Sequence, residues 1–123
     1  MKIVLIEPLS VDLAVIERLA RPWRAAGHSF VAYGSRAEDP AELRRRAGDA
    51  DIVLEGNQPL PAEMLRQLSA CRYLSVGFSG IDHVDAETAR QMGITVSNSA
   101  GYADDSVAEL ALGMMLSLLR NIG

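Results

Sequence analysis

Five short apolar segments are spaced along the chain, and segments with helical periodicity lie between them. The apolar segments read KIVLIEP, HSFVAYG, ADIVLEG, RYLSVGF and ITVSNS. Runs of this length, bounded by glycine, proline or small polar residues, are typical of strands buried on both faces of a parallel sheet. Their alternation with helical segments predicts a doubly wound α/β domain with five parallel strands.

The segment after the first predicted strand has apolar residues at helical spacing. Ser10 is a candidate cap for this helix, with Asp12 in its first turn. Pro22 is expected to kink or split the helix, because proline lacks the amide that continues the hydrogen-bond ladder. Gly27 is predicted to end it.

Three further helices are predicted between the later strands. The sequence DPAE at 39–42 combines an acidic cap, a proline at the first helical position and a glutamate three residues after the cap. Gly48 ends that helix. The second helix is expected to begin at Pro61, and the third runs from a cap at Asp85 to Gly93.

The last helix differs from the others because it is apolar nearly all round. The sequence SVAE at 106–109 is a candidate capping box for its start at residues 104–106, and the helix runs to about Leu119. Such a helix is normally buried, and a domain this small cannot easily cover it. We therefore expect the chain to self-associate through this helix, as a homo-oligomer. The loop at 97–106 is the expected domain boundary.

Composition and charge narrow the function classes. The chain has 123 residues, 49% of them hydrophobic, and a formal net charge of -4, which suits one globular domain and argues against nucleic acid or an anionic membrane as partner. Cys71 is the only cysteine, which excludes a disulfide framework and a multi-cysteine metal site, and no metal is expected. Glu7 and Pro8 interrupt the first apolar run, so no signal peptide is expected. The stretch 107–119 is too short to span a bilayer, and a cytoplasmic location is predicted.

The fourth predicted strand leads into an unusual segment, SVGFSGIDHVD at 75–85. Ligands of open parallel sheets gather beyond the carboxyl ends of the strands, and GFSG lies at such an end. Small residues there allow several main-chain amides to approach one anion. A plain turn that needs glycine for its backbone angles explains the same residues equally well.

Residues 73–122 resemble the D-isomer-specific 2-hydroxyacid dehydrogenases. The family pattern is a strand, then V-G-x-G-x-D-x-(I/V)-D, then a helix ending in G-I-x-V-x-N, and then (S/A)-V-A-E opening a long helix. The matching residues are Val76, Gly77, Gly80, Asp82, Asp85, Gly93, Ile94, Val96, Asn98, Gly101, Val107, Ala108 and Glu109, with the glycine spacing relaxed by one residue. Over residues 1–72 only the strand–helix alternation and LPAEML fit the pattern.

The resemblance implies a two-domain enzyme that transfers hydride between NAD or NADP and C2 of a 2-hydroxy or 2-oxo acid. Its first domain is a flavodoxin-like substrate domain with strand order 2-1-3-4-5, here residues 1–100, and residues 101–123 would be an inter-domain loop and helix leading to a cofactor domain. The resemblance also implies a set of substrate-binding residues at the strand ends, with the carboxylate held by the main chain at 76–77: Asn57, Val76, Gly77, Phe78, Ser79 and Tyr102. Val107 would approach the nicotinamide.

The family's catalytic arginine, acidic partner and histidine, and its G-x-G-x-x-G turn, come after the matched region and are not found in this sequence. No catalytic residue is therefore assigned in this chain, no cofactor is expected to be bound to it, and the isolated chain is expected to be inactive. His83 does not correspond to the catalytic histidine and is expected to be a solvent-facing turn residue. Glu7 and Glu55, which both end strands, are interpreted as polar residues at solvated strand ends rather than as an acid/base pair.

Two other functions compete with this interpretation. A stand-alone flavodoxin-like module could bind a small carboxylate through the same GFSG turn without catalysis. A phosphorelay receiver domain would need an acidic pair after the first strand and a lysine after the fifth. Because Lys2 is the only lysine, the receiver interpretation is set aside.

Overall fold

The structure is a computed structural model, and it describes residues 1–122. Strands and helices alternate five times along the chain. Their bounds are β1 Lys2–Leu5, α1 Leu13–Ala25, β2 Ser29–Ala32, α2 Pro40–Ala47, β3 Ile52–Glu55, α3 Ala62–Leu65, β4 Tyr73–Val76, α4 Ala86–Gln91, β5 Thr95–Ser97 and α5 Asp104–Arg120. All five predicted strands are therefore present.

The strands form one parallel sheet in the order β2-β1-β3-β4-β5. In its centre Ile3 lies opposite Ile52, and Val53 lies opposite Leu74. This is the predicted doubly wound, flavodoxin-like order. The carboxyl ends of β1, β3 and β4 consequently lie side by side at one edge of the sheet, which is where ligands of such folds bind.

The two faces of the sheet are covered unequally. Alternate strand residues such as Val4, Val53 and Leu74 pack under α2, α3 and α4 in a large buried cluster. On the other face a smaller cluster lies under α1, and its fully buried members are Ile3, Leu5, Ala20 and Phe30. The single cysteine, Cys71, is buried in the larger cluster.

Several helix ends follow the predictions. The Asp39 carboxylate caps α2 by accepting a hydrogen bond from the Glu42 amide at 2.7 Å, and Asp85 caps α4 through the Thr88 amide at 2.8 Å. For α1 the predicted cap was wrong. Asp12 rather than Ser10 accepts from the Ala14 amide, while Ser10 has a left-handed backbone with a φ of 58°. Pro22 does not split α1, which continues through the proline to Ala25 although Pro22 lacks an amide for the hydrogen-bond ladder.

Helix α5 begins at Asp104, earlier than the proposed capping box. Ser106 lies inside the helix, and no side chain caps its first turn, so the capping-box prediction was wrong. Asp104 and Asp105 instead place two acidic residues in the first turn, where they interact favourably with the helix dipole. No residue of α5 is buried. No helix within residues 1–122 is both long enough and apolar enough to cross a membrane.

Candidate functional site

The loops that follow β1, β3 and β4 meet at the carboxyl edge of the sheet. Gly56 marks the meeting point. A Cβ atom placed on it would lie 3.1 Å from the Phe78 side chain and 3.2 Å from the Glu7 carboxylate. A side chain at position 56 would therefore press on both neighbouring loops.

The loop after β3 presents three consecutive main-chain amides to one carboxylate oxygen. The amides of Gly56, Asn57 and Gln58 donate to Glu7 Oε1 at 2.8, 2.7 and 2.7 Å. Glu7 is only 1% exposed, so the earlier interpretation of a solvated strand end was wrong for this residue. Consecutive amides that converge on one anion form an anion-binding nest, and this one is filled by the protein's own carboxylate.

The second oxygen of Glu7 binds a cationic side chain. Arg36 Nε donates to Glu7 Oε2 at 2.6 Å. The Arg36 guanidinium also donates to the side-chain oxygen of Asn57. The Asn57 side chain is thereby held by its oxygen, which leaves its amide NH₂ group as the donor available for another ligand.

These contacts keep Glu7 ionised. Burial by itself would raise its pKa, but the three main-chain amides and the Arg36 guanidinium outweigh burial and leave the pKa below the ordinary glutamate value. The filled nest therefore holds a carboxylate anion at neutral pH.

The loop after β4 offers a second run of amides. The Gly77 amide donates to the Glu55 carbonyl oxygen at 2.8 Å and is not available to a ligand, which corrects the expectation that it binds a carboxylate. Val76 is buried within β4. The next three amides, those of Phe78, Ser79 and Gly80, find no acceptor among the atoms that the structure describes, and all three residues are exposed.

The direction of these free amides is fixed by their carbonyls. The Ser99 amide donates to the Phe78 carbonyl at 3.0 Å, and Asn98 Nδ2 donates to the Ser79 carbonyl at 2.5 Å. In a trans peptide the carbonyl and the following N–H point in opposite directions. The Ser79 and Gly80 amides consequently point away from the segment at 98–99.

The glycines of this turn are not required for unusual backbone angles. Neither Gly77 nor Gly80 has a positive φ. At Gly77 a Cβ would approach the Glu55 carbonyl to 3.3 Å, whereas at Gly80 the nearest contact, at 3.5 Å, is an ordinary one. Gly77 thus serves the close approach of the turn to β3, and a turn that needs glycine for its angles does not explain the sequence.

Glu55 and His83 form a second polar pair behind the turn. Glu55 Oε1 lies 2.8 Å from His83 Nε2, and Glu55 is 1% exposed. The side chain of His83 is 18% exposed, so the predictions of a solvent-facing histidine and of a solvated Glu55 were both wrong. Burial raises the pKa of Glu55 to about 7, against the opposing effect of His83.

The remaining predicted site residues lie on the surface. Phe78 is 43% exposed and Tyr102 is 63% exposed. Tyr102 lies in the turn before α5, three residues after Ser99, and Val107 lies exposed in the second turn of that helix. Phe78 and Asn57 belong to the two loops that meet at Gly56, whereas no hydrogen bond within the described residues joins Tyr102 or Val107 to them.

The described residues do not fit a dinucleotide cofactor by themselves. The sequence has no G-x-G-x-x-G turn for the pyrophosphate. The exposed helix start that could substitute for it, in α5, carries Asp104 and Asp105, whose charges repel phosphate. Within residues 1–122, no three His, Cys, Asp or Glu side chains are grouped so that they could hold a metal ion.

Sequence reasoning found the free turn but missed the groups that hold it. The sequence places Glu7 and Glu55 at strand ends but does not indicate their hydrogen-bond partners, which lie 28 or more residues away in the chain. Asn98 was noted only as a family residue, although its side chain fixes the Ser79 peptide. The one available signal was that acidic residues directly follow two predicted strands that are adjacent in the sheet.

The chain is similar to a known protein family and to several of its members. Residues 3–117 match the family profile described as D-isomer specific 2-hydroxyacid dehydrogenase, catalytic domain. A hydroxypyruvate reductase of Blautia hydrogenotrophica is 32% identical over 99 residues, which cover 80% of this chain and 31% of that protein. A glycerate dehydrogenase of Methylorubrum extorquens is 35% identical over 95 residues, covering 77% of this chain and 30% of that protein.

Solved structures show the same fold. The NAD⁺-bound 3-phosphoglycerate dehydrogenase of Entamoeba histolytica superposes with a TM-score of 0.78 at 27% identity, covering 95% of this chain and 38% of that one. An acyclic imino acid reductase, solved with NADPH and D-Arg, superposes with a TM-score of 0.82 at 24% identity over 99% of this chain and 38% of that one. The chain therefore spans about a third of the length of these proteins. With the family profile matching nearly all of its residues, the chain belongs to the D-isomer-specific 2-hydroxyacid dehydrogenase family, as part of the catalytic domain.

Proposed function

We propose that this chain binds the carboxylate of a 2-hydroxy or 2-oxo acid on behalf of an NAD- or NADP-dependent dehydrogenase. The observation that carries the proposal is a run of amides that begins at three exposed residues, Phe78, Ser79 and Gly80, and for which the described part of the chain supplies no acceptor. Hydrogen bonds from amides to an ionised oxygen are among the stronger ones in proteins. The neighbouring 56–58 loop, with Glu7 in place, shows that this edge of the sheet can hold a carboxylate in this way.

The other site residues take supporting roles in this proposal. The NH₂ group of Asn57, whose oxygen is held by Arg36, would donate to the 2-oxo or 2-hydroxy oxygen of the substrate. The exposed ring of Phe78 and the exposed Tyr102 would contact the rest of the substrate. Val107 would contact the nicotinamide. Val76 and Gly77 would support the turn from β4 rather than bind the substrate themselves.

Catalysis would need groups that these 123 residues do not contain. Hydride transfer requires an oriented nicotinamide and a proton donor near C2 of the substrate. We propose that a cofactor domain supplies both, that residues 1–100 form the substrate domain, and that residues 101–123 lead to the cofactor domain. The cofactor, NAD or NADP, supplies or accepts the hydride. The isolated chain would then bind substrate without converting it.

The surface of α5 fits a buried position in a larger assembly. Large apolar residues on several sides of the helix, among them Leu110, Leu112 and Leu118, are each more than half exposed. We propose that the cofactor domain and a second subunit cover this helix, which makes the protein a homo-oligomer. The single buried cysteine suits a reducing compartment, and we propose a cytoplasmic location.

The carboxylate site is tested by NMR titration of the chain with oxamate, an unreactive analogue of a 2-oxo acid. The amide signals of Phe78, Ser79 and Gly80 should shift together. A Ser79→Pro variant, which lacks one amide, should bind roughly tenfold more weakly, while the matched Ser79→Ala variant keeps the amide and should bind normally. Shifts confined to other residues, or equal loss in both variants, would contradict the site.

An activity assay tests the proposal that the isolated chain does not catalyse the dehydrogenase reaction by itself. With glyoxylate, pyruvate or hydroxypyruvate and either NADH or NADPH, no turnover above the blank is expected. Turnover by the pure chain would overturn the assignment of catalysis to a second domain. Tight binding of oxamate by the isolated chain, at physiological metabolite concentrations, would favour the alternative of a stand-alone carboxylate-binding module.

A further inference from the structure

Glu55 contacts the turn that carries the free amides at both of its ends, Gly77 and His83. Its main-chain carbonyl accepts the Gly77 amide at 2.8 Å, where the turn leaves β4. Its carboxylate lies 2.8 Å from the imidazole of His83, where the turn ends. The His83 carbonyl is fixed in turn by the Leu60 amide, at 2.8 Å. One buried residue of β3 therefore spans the segment that carries the three free amides.

The net charge of Glu7, Arg36 and the Glu55–His83 pair is zero only when Glu55 and His83 hold one titrating proton between them. From the end of β1, Glu7 contributes a negative charge, which the Arg36 guanidinium after β2 neutralises at 2.6 Å. The other acidic residues of the turn do not face this group, because Asp82 is exposed and Asp85 caps α4. If the pair loses its proton, a second carboxylate is left in the interior without a cation.

One oxygen atom of Glu55 is most affected by this unbalanced negative charge. Glu55 Oε2 is buried and has no hydrogen-bond partner in the structure. A buried carboxylate oxygen without a partner is costly when it is charged, and a protonated carboxyl group avoids that cost. The unpartnered oxygen thus favours the protonated form of the Glu55 carboxyl group.

We propose that Glu55 and His83 form a proton-dependent brace, in which the single shared proton sets how the free amides of residues 78–80 are presented. With the proton present, the pair is neutral overall and both ends of the turn are held on β3. When the proton leaves, the repulsion between Glu55 and Glu7 loosens the contact to His83, and the amides shift. The link to substrate binding rests on the proposed function, whereas the brace itself does not.

The pH range for this event lies near neutrality. Burial raises the pKa of Glu55 most, the His83 contact lowers it, and the nearby Glu7 carboxylate raises it again, which leaves it at about 7. The proton would thus be exchanged under ordinary cellular conditions rather than only in strong acid.

NMR of the chain from pH 5.5 to 8.5 tests the brace without any ligand. The amide signals of residues 78–80 should titrate with one common midpoint. In Glu55→Gln that common midpoint should vanish, because glutamine does not titrate.

Two more variants keep the test decisive. His83→Gln should abolish the amide titration even if Glu55→Gln does not fold. Asp82→Asn removes an exposed carboxylate whose Oδ2 atom lies close to Gly80, and it should leave the common midpoint in place. Amides of 78–80 that do not titrate in the wild-type chain, or that still titrate as in the wild type in Glu55→Gln or His83→Gln, would overturn the brace.

Oxamate titration at pH 6 and pH 8.5 separates the brace from the carboxylate site. If both proposals hold, binding weakens roughly threefold or more at the higher pH, and Glu55→Gln removes this dependence. Titrating amides without oxamate binding support the brace and contradict the carboxylate site. Oxamate binding at 78–80 with no titration of these amides supports the site and overturns the brace.

Discussion

Two loops at the carboxyl edge of the sheet, 56–58 and 78–80, each present three consecutive main-chain amides, and they differ in what those amides bind. The amides of 56–58 converge on Glu7 Oε1, a carboxylate that the chain itself supplies. The amides of 78–80 have no acceptor within residues 1–122. An anion site that is filled internally stabilises the fold, whereas one that is left open is available for a ligand.

The difference also appears in the glycines of the two loops. Gly56 lies against Leu9, Phe78 and Glu7, so that a Cβ would meet side-chain atoms at 3.1–3.2 Å. Gly80 lies in open surroundings, with its nearest contact at 3.5 Å. The filled loop is therefore packed as part of the interior, and the open loop is a surface whose peptide planes are fixed by Asn98 and Ser99.

The largest effect is expected from emptying the filled loop. Glu7→Ala leaves three main-chain amides, two of them buried, and Arg36 without their anion and should lower the free energy of unfolding by about 3–5 kcal/mol. Glu7→Gln keeps an acceptor oxygen and should cost about half as much. Urea denaturation measures both. Glu17→Gln removes an exposed ion pair and should leave stability almost unchanged; an equal loss in all three variants would contradict the special role of Glu7.

A smaller effect is expected from pH, because the two buried carboxyl groups respond in opposite directions. The raised pKa of Glu55 means that the folded state binds its proton more tightly than the unfolded state does. Its contribution is fully present below the unfolded pKa of about 4.5 and is lost as pH rises towards 7, by up to about 3 kcal/mol. The lowered pKa of Glu7 gives stability that is lost only as pH falls below the same unfolded value.

The pH effect is measured as the urea midpoint between pH 5 and pH 8. Glu55→Gln should flatten the decline in this range, since glutamine does not titrate. A decline of the same slope in the wild-type chain and in Glu55→Gln would show that some other group is responsible.

Substituting the two glycines compares the packing of the loops directly. Gly56→Ala should destabilise the chain by about 1 kcal/mol, because Leu9, Phe78 or Glu7 must move by a few tenths of an ångström. Gly80→Ala should have little effect on stability. Gly34→Ala, at a glycine with nothing nearby and no positive φ, serves as control and should be neutral or slightly stabilising. Equal costs at positions 56 and 80 would remove the contrast between the loops.

The smallest effect on stability is expected far from both loops, on α5. Leu118 is 82% exposed, and Leu118→Glu should change the free energy of unfolding by less than about 0.5 kcal/mol. It should nevertheless weaken self-association measured by light scattering, since it places a charge in the proposed interface. A wild-type chain that stays monomeric at high concentration would contradict that interface.

The fold could be predicted from the sequence because apolar strands and capped helices are local signals. The five apolar segments became the five strands, and Asp39 and Asp85 cap the helices that they were predicted to cap. The start of α1 was placed wrongly because Ser10 and Asp12 are both good caps, and only the left-handed backbone at Ser10 decides between them.

The site could be predicted only in part, because burial of charge is not a local property. Nothing next to Glu7 in the sequence shows that three amides, 49 to 51 residues later, surround its carboxylate. The same holds for Glu55 and His83, which are 28 residues apart. The turn at 78–80 was recognised by its small residues, but the engagement of the Gly77 amide depends on the pairing of β3 with β4.

The segment that leads from β5 to α5 is hydrogen-bonded to the turn at 78–80. In this contact Asn98 donates to the Ser79 carbonyl and Ser99 donates to the Phe78 carbonyl. Gly101, with a φ of 81°, lies between this contact and the helix. A swing of α5 that pulled on this contact would rotate the 78–80 peptide planes, and a ligand gripping those planes would resist the swing. Ligand binding to the turn and the orientation of α5 would then be coupled. By thermodynamic reciprocity, the coupling free energy is the same in both directions.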